Sequence, residues 1–199
     1  MSITNISLII VIVVVTVLIG RYLDDRWFGF FQTTKRLNNT PLNLPLSQPK
    51  IVVVKSKRQL NLYSSEQLIR QYPIALGGDP VNDKIKEGDQ RTPEGEFYIY
   101  VKNPKSKYFL SLGISYPNQE DASRGLQSGL ITQDEYQQII AAVTHQQMPP
   151  QKTALGGEIY IHGHGAHRDW TWGCVALNDS DMKELFDAIP KGVPVTITP

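Results

Sequence analysis

The segment from Glu158 to Leu177 constrains the fold of this chain most, because it predicts two short strands joined by a glycine-rich loop. Its first part, Ile159 to Ile161, combines β-branched and aromatic residues, which are typical of a strand. His162 stands at the end of that strand, and a second apolar stretch follows Cys174 directly. Glycines interrupt the first strand after the histidine, at Gly163 and Gly165. Two strand ends joined in this way can place the imidazole against the thiol.

The segment also concentrates the reactive side chains of the chain. It holds the only cysteine and three of the four histidines. A free thiol has a pKa of roughly 8.5, so a neighbouring imidazole is needed to take its proton near neutral pH and later return it to a leaving amine. Gly173 before Cys174 predicts a tight turn whose amides face a developing oxyanion. The pattern favours a thiol acyl-transfer enzyme, with a thiolate–imidazolium pair, over a buried and inert cysteine.

His-Gly at residues 162–163 followed by Thr-x-Gly-Cys-Val at residues 171–175 resembles the catalytic signature of the L,D-transpeptidase (YkuD-type) domain, a family of bacterial cell-wall enzymes. The resemblance implies that Cys174 is the nucleophile and His162 the base. It also implies that Gly163 orients the base through its backbone carbonyl. An oxyanion hole is implied at backbone amides, those of Trp172, Gly173 and Cys174. No cofactor and no metal are implied.

Two further segments resemble the same family in the same order along the chain. Residues 88–97 read Gly-Asp-x-Arg-Thr-Pro-Glu-Gly-x-Phe. On physical grounds alone, the Pro and Gly in this segment predict a turn between strands. Residues 111–118 read Ser-Leu-x-x-x-Tyr-Pro-Asn, which is similar to the YafK-like branch of the family. The resemblance therefore covers residues 50–199.

The chain departs from the family pattern near the cysteine. In many members, the second residue after the cysteine is an arginine that is thought to bind a substrate carboxylate. This chain has Ala176 at that position. Trp172 stands where many members have a histidine, and its indole is either packed or half-exposed without a role, or a wall of the substrate pocket. The residues that we expect to contact the substrate instead are Thr171, Arg91, Arg168 and Trp170.

An apolar run from Ile3 to Ile19 reaches the short end of the ~17–25 residues that a membrane-spanning helix needs. No Lys or Arg precedes the run and no small-x-small cleavage site follows it, so we predict an uncleaved single-pass anchor at residues 1–20. Arg21 and Arg26 favour a cytoplasmic domain by the positive-inside rule. A cell-wall substrate requires the other side, and we therefore expect a periplasmic or extracellular domain on the bacterial cytoplasmic membrane.

The rest of the chain divides into a stalk and one domain. Residues 21–49 are polar and interrupted by prolines, which predicts a stalk without a core of its own. Residues 50–199 have the length of one domain, here the L,D-transpeptidase catalytic domain. We expect strands at four segments, 51–54, 60–63, 71–76 and 193–198, of which the first two form a hairpin. Thr132 with Glu135 predicts a capped helix, and Asn178 predicts a second.

The fold class expected is a β-rich α+β domain. The resemblance implies a YkuD-type mixed β-sandwich with two or three peripheral helices, preceded by the N-terminal membrane helix. The chain has 20 Lys and Arg against 19 Asp and Glu and no basic run, which gives nucleic-acid binding little electrostatic support.

Two readings from other functional classes stay open. His162, His164 and His167 with Cys174 could hold Zn²⁺, as in a zinc-dependent hydrolase, although no later histidine follows to complete the ligand set of that class. A non-catalytic, membrane-tethered module that binds the cell wall is the other alternative.

Within the enzyme reading, the resemblance implies peptidoglycan stem peptides as substrates and a thioester at a diaminopimelate-type carbonyl. An amine acceptor makes the enzyme a transpeptidase. Water makes the same site a carboxypeptidase, endopeptidase or amidase. Because the YafK-like branch includes members that release a wall-attached lipoprotein, such a lipoprotein is a further candidate partner.

Overall fold

The computed structural model describes residues 40–199. The predicted membrane anchor, residues 1–20, and the predicted stalk up to residue 39 lie outside the described residues. Between residues 40 and 199, no helix combines the length and the apolar character that a membrane crossing requires.

The described part of the chain contains eight strands and three α-helices. In chain order they are β1 (Pro49–Val54), β2 (Gln59–Ser64), β3 (Gln67–Pro73), β4 (Gly95–Ser106), β5 (Phe109–Ile114), α1 (Gln119–Gln127), α2 (Gln133–Thr144), β6 (Tyr160–His162), β7 (Val175–Ala176), α3 (Asp179–Ala188) and β8 (Pro194–Thr198). The predicted hairpin of β1 and β2 is confirmed, with a short 3₁₀ turn at Lys55–Lys57 between the strands.

The strands form one mixed sheet in the order β3-β2-β1-β8-β4-β5-β6-β7. The first residues of β4 pair with β8, and the residues from Ile99 onward pair with β5, so β4 joins two groups of strands. Ala75, just after β3, exchanges two backbone hydrogen bonds of 2.9 and 2.8 Å with Ala176 of β7. This bridge therefore joins the chain just after β3 to β7, the strand at the other end of the order.

The main core is formed by buried side chains from both groups of strands and from α3. Side chains such as Ile51, Leu112 and Val195 have no exposed surface, and burying each contributes about 1.5–3 kcal/mol. Leu42 and Leu46 also pack against this core. The last residues of the predicted stalk therefore contact the domain.

Two helices form a separate small unit between β5 and β6. α1 and α2 enclose a second apolar cluster, formed by Ala122, Ile131, Ile139 and Leu155. The predicted capping box of Thr132 and Glu135 is confirmed at α2. α1 begins with a second capping box, of Asn118 and Asp121, which the sequence analysis missed.

α3 follows β7 and begins after Asn178, as predicted, but without the expected cap. The Asn178 side chain instead accepts a hydrogen bond from the Ala166 amide, at 3.3 Å, and donates one to Asp181. This residue therefore fastens the loop after β6 to α3. The mixed sheet with three helices confirms the β-rich α+β class within the described residues.

Candidate active site

The strand pair β6–β7 brings His162 and Cys174 to one face of the sheet. The two strands run parallel, with Ile161 opposite Val175 and His162 opposite Ala176. Extending this register by one residue places Cys174 opposite Tyr160. Because side chains on a strand alternate between faces, His162 and Cys174 point to the same side. Both line a cavity of about 620 Å³.

His162 is buried, with 2% of its surface exposed, and its ring is fixed by a backbone contact. Nδ1 of the imidazole lies 2.7 Å from the carbonyl oxygen of Gly163. Since a carbonyl only accepts, Nδ1 carries the proton of the neutral ring and Nε2 keeps its lone pair. Burial lowers the pKa of His162, the bond to Gly163 opposes that change, and nearby His164 adds to it. The imidazole is therefore neutral at neutral pH.

The thiol of Cys174 lies between two backbone groups of the segment that precedes His162. It accepts a hydrogen bond from the Tyr160 amide, at 3.4 Å, and donates one to the carbonyl oxygen of Glu158, at 3.5 Å. Burial raises the thiol pKa to about 11, although the Tyr160 amide and Lys84 act in the opposite direction.

The resting state therefore differs from the expected thiolate–imidazolium pair. Among the hydrogen bonds of residues 40–199, none joins the Cys174 thiol to His162. The physical reason is that burial disfavours the charged form of each group, so both are neutral at rest.

The turn before Cys174 is held by the side chain of Thr171. Its hydroxyl accepts a hydrogen bond from the Gly173 amide, at 3.2 Å, and donates one to the carbonyl of Cys174, at 2.8 Å. Gly173 has a φ of +125°, and a Cβ there would lie 2.6 Å from the carbonyl oxygen of Arg91, so only glycine fits. Because its amide is occupied, Gly173 is not a free oxyanion donor. In the described part of the chain, the amides of Trp172 and Cys174 have no protein acceptor.

The four residues expected to contact substrate are only partly brought together. Trp170 and Thr171 line the cavity, as does Trp172, which is 71% exposed. Arg91 donates to Asp79 at 2.7 Å, and neither it nor the exposed Arg168 belongs to the cavity wall. The predicted role of the two arginines at the cavity thus lacks structural support. Ala176 has no exposed surface, so that position also offers nothing to a substrate.

Cations reach the cavity from a segment for which no substrate contact was predicted. Lys105, near the end of β4, and Lys107, in the β4–β5 turn, line the cavity, and neither pairs with a carboxylate among the described residues. Lys84, by contrast, is buried and paired with Asp89 at 2.8 Å. Another part of the wall carries the exposed carboxylates of Glu87 and Glu158. Charged residues in a polar turn have no sequence pattern that separates a binding role from a solubilising one.

The other two histidines of the segment are exposed. The His164 amide donates to the carboxylate of Asp179, at 2.8 Å, which ties its loop to α3. His167 is exposed on the same loop. Over residues 40–199, no three or more His, Cys, Asp or Glu side chains are grouped so that they could hold a metal ion.

Comparisons with known proteins agree on one family. The model of the L,D-transpeptidase catalytic domain matches residues 48–197. YafK of Escherichia coli K12, which carries an L,D-transpeptidase designation, is 33% identical over 82 residues, covering 38% of this chain and 33% of that protein. YkuD of Bacillus licheniformis, designated likewise, is 26% identical over 155 residues, covering 75% of this chain and 66% of that protein. The matches thus span one third and about two thirds of these relatives.

A solved structure supports the fold. A single-residue variant of the helical cell shape determining protein Pgp2 from Campylobacter jejuni superimposes with a TM-score of 0.50 at 23% identity. The match covers 76% of this chain and 47% of that chain. This likeness shows a shared architecture for the domain.

Proposed function

Because this chain belongs to the L,D-transpeptidase catalytic domain family, we propose that it is a peptidoglycan L,D-transpeptidase with a Cys174 nucleophile and a His162 base. The observation that carries the proposal is the position of both side chains on one face of the β6–β7 pair, in one cavity. The catalytic domain proposed is residues 50–199.

In the first half-reaction, Sγ of Cys174 attacks the carbonyl of a diaminopimelate-type residue in the donor stem peptide. The free Nε2 of His162 takes the thiol proton during the attack, because both groups are neutral at rest. The amides of Trp172 and Cys174 are the donors that we assign to the oxyanion. One such donor is usually worth about 10²–10³ in rate. The imidazolium then protonates the leaving amine, and a thioester remains on Cys174.

In the second half-reaction, an acceptor amine attacks the thioester. His162 takes a proton from the attacking amine, the new amide bond forms, and the sulfur leaves and recovers that proton. Water in place of the amine would release the acid instead. The two outcomes use the same side chains, so the identity of the acceptor that enters the cavity decides between them.

Charged residues on the cavity wall support a substrate that carries both a positive and a negative charge. A diaminopimelate-type residue has a carboxylate and an ammonium at the end remote from the scissile bond. Lys105 and Lys107 suit the carboxylate, and Glu87 and Glu158 suit the ammonium. We propose that Lys107 is the main carboxylate partner, since it lines the cavity without a carboxylate partner among the described residues and its charge acts on the Cys174 thiol.

The proposal is tested by incubating the purified full chain with defined muropeptides and identifying the products by mass spectrometry. We expect cross-linked or amino-acid-exchanged products from the native chain and none from Cys174→Ala, whose fold we expect to be unchanged by circular dichroism. More than a trace of native turnover in Cys174→Ala would exclude the covalent mechanism. Hydrolysis products alone would assign the hydrolase instead.

The zinc-hydrolase alternative and the location of the domain have their own tests. We expect EDTA to leave turnover unchanged. Loss of activity that Zn²⁺ restores would support a metal enzyme.

We propose that residues 1–20 anchor the chain with its domain outside the cytoplasmic membrane, where the wall lies. A C-terminal reporter fusion should be active only outside that membrane, and activity only in the cytoplasm would refute this orientation.

A further inference from the structure

Two aromatic side chains enclose the imidazole of His162, and they come from separate segments. Tyr108, in the β4–β5 turn, stacks on the imidazole with a centroid distance of 4.7 Å and an interplanar angle of 24°. Trp170, in the loop before β7, meets the same ring edge to face at 5.6 Å and 68°. The two aromatic rings also contact each other at 5.8 Å. The three rings form one cluster at the cavity wall.

Each aromatic residue is also bonded to the backbone that follows His162. The carbonyl of Tyr108 accepts a hydrogen bond from the Gly163 amide, at 3.1 Å. The carbonyl of the same Gly163 accepts from the imidazole. The indole of Trp170 donates to the carbonyl of Gly165, at 3.2 Å, and the Trp170 amide donates to Leu76, at 3.0 Å. The rings and the glycine loop therefore hold each other in place.

We propose that Tyr108 and Trp170 are positioning residues that fix the orientation of the His162 imidazole and exclude water from its face. A general base must stay within about 0.5 Å of its productive geometry, and a ring free to rotate about χ2 would not. The catalytic part of this inference rests on the function proposed above. The structural part, that the cluster controls the imidazole, does not depend on it.

Charged and titratable groups also border the cluster of three rings. Lys107 has its ammonium 5.0 Å from the centre of the Tyr108 ring, and His164 meets the same ring edge to face. Of these two, His164 is the neighbour whose charge contributes to the lowered pKa of His162. Cys174 is neutral at rest. Two nearby carboxylates have partners of their own: Asp179, from α3, accepts from the His164 amide, and Asp169, which precedes Trp170, pairs with Arg58 at 2.8 Å. Burial under the two aromatic rings therefore explains why the pKa of His162 lies below its usual value.

The test compares Tyr108→Ala and Tyr108→Leu with Tyr108→Phe, and uses Tyr63→Ala as a matched control outside the cavity. The first readout is the pKa of His162, followed by NMR of the imidazole protons, with the resonance assigned from a His162→Gln spectrum. We expect this pKa to rise toward the ordinary ~6.5 in the Ala and Leu variants and to stay lowered in the Phe and control variants. The Leu variant retains bulk, so it serves if the Ala variant does not fold.

The second readout is turnover of the full chain on muropeptides across pH. We expect kcat to fall roughly 10-fold or more in Tyr108→Ala, with little change in KM. We expect Tyr108→Phe to have a kcat close to that of the native chain. A folded Leu or Ala variant with native His162 pKa and native kcat would overturn the inference. A Tyr108→Phe variant with a kcat as low as that of Tyr108→Ala would overturn it too, because the Tyr108 hydroxyl, and not the ring, would then be the group that matters. If the native chain turns over no muropeptide, the proposed function fails, while the NMR titration still decides the role of the cluster.

Discussion

The thiol of Cys174 donates its hydrogen bond to the backbone carbonyl of Glu158, at 3.5 Å, and not to the imidazole of His162. Glu158 has a φ of +55°, and its amide donates to the side chain of Gln151 at 2.7 Å. The Cys174 thiol is thus hydrogen-bonded to a backbone segment that the Gln151 side chain holds in turn. In the proposed mechanism, His162 takes the thiol proton only when the substrate arrives, because both groups are neutral at rest.

The first prediction concerns the reactivity of this thiol in the absence of substrate. With its pKa raised to about 11, iodoacetamide should label native Cys174 roughly 10²-fold more slowly at pH 7.5 than it labels the urea-unfolded chain. The labelling rate of the native chain should keep rising up to about pH 11. A plateau below pH 8 would contradict this account. Because the folded pKa is the higher one, the stability that this group contributes is present below pH 9 and is lost as the pH rises toward 11.

The second prediction assigns the base among the three clustered histidines. His162→Ala should lower kcat/KM on muropeptides by about 10²–10⁴, the usual scale of a lost general base. His164→Ala and His167→Ala should change it less than about 10-fold, since both side chains are exposed. On the acid side, the activity of the native chain should fall at a lower pH than the ~6.5 of an ordinary imidazole, because burial lowers the pKa of His162. If His164→Ala abolishes turnover and His162→Ala does not, the assignment is wrong.

The third prediction concerns recognition of the substrate carboxylate. Lys107→Ala should raise KM roughly 10-fold for a donor whose diaminopimelate carboxylate is free, because a charge-assisted hydrogen bond is lost. The same variant should leave KM unchanged for the amidated donor. Lys86→Ala is the matched control, since Lys86 is exposed and outside the cavity wall. Equal effects of Lys107→Ala on both donors would refute the assignment.

The fourth prediction concerns the turn that presents the nucleophile. Thr171→Val keeps the shape of the side chain but leaves the Gly173 amide and the Cys174 carbonyl without their partner. We expect it to lower the free energy of unfolding by about 1–3 kcal/mol, measured in urea, and to lower kcat as well. Thr171→Ser keeps the hydroxyl and should stay close to the native chain in both measurements. A Ser variant as damaged as the Val variant would show that the methyl group matters instead.

Much of the domain could be predicted from local sequence patterns. The β1–β2 hairpin, the α2 capping box and the strand that ends at His162 are confirmed because each depends on residues within a few positions of one another. The α1 capping box at Asn118 has the same local basis and was missed. The strand predicted at residues 71–76 ends in the structure at Pro73, where β3 stops and the chain goes on to bridge β7.

By itself, the sequence determined the family, the strand-borne His162 and the glycine turn before Cys174, since those depend on residue type and short spacing. Only the tertiary structure decided which cation reaches the cavity, because Arg91 is paired with Asp79 while Lys107 comes from a distant hairpin. It also decided that the thiol is neutral and that Tyr108 covers the imidazole. Burial and ring contacts arise from strand pairing between segments far apart in the chain, and no local pattern encodes that pairing.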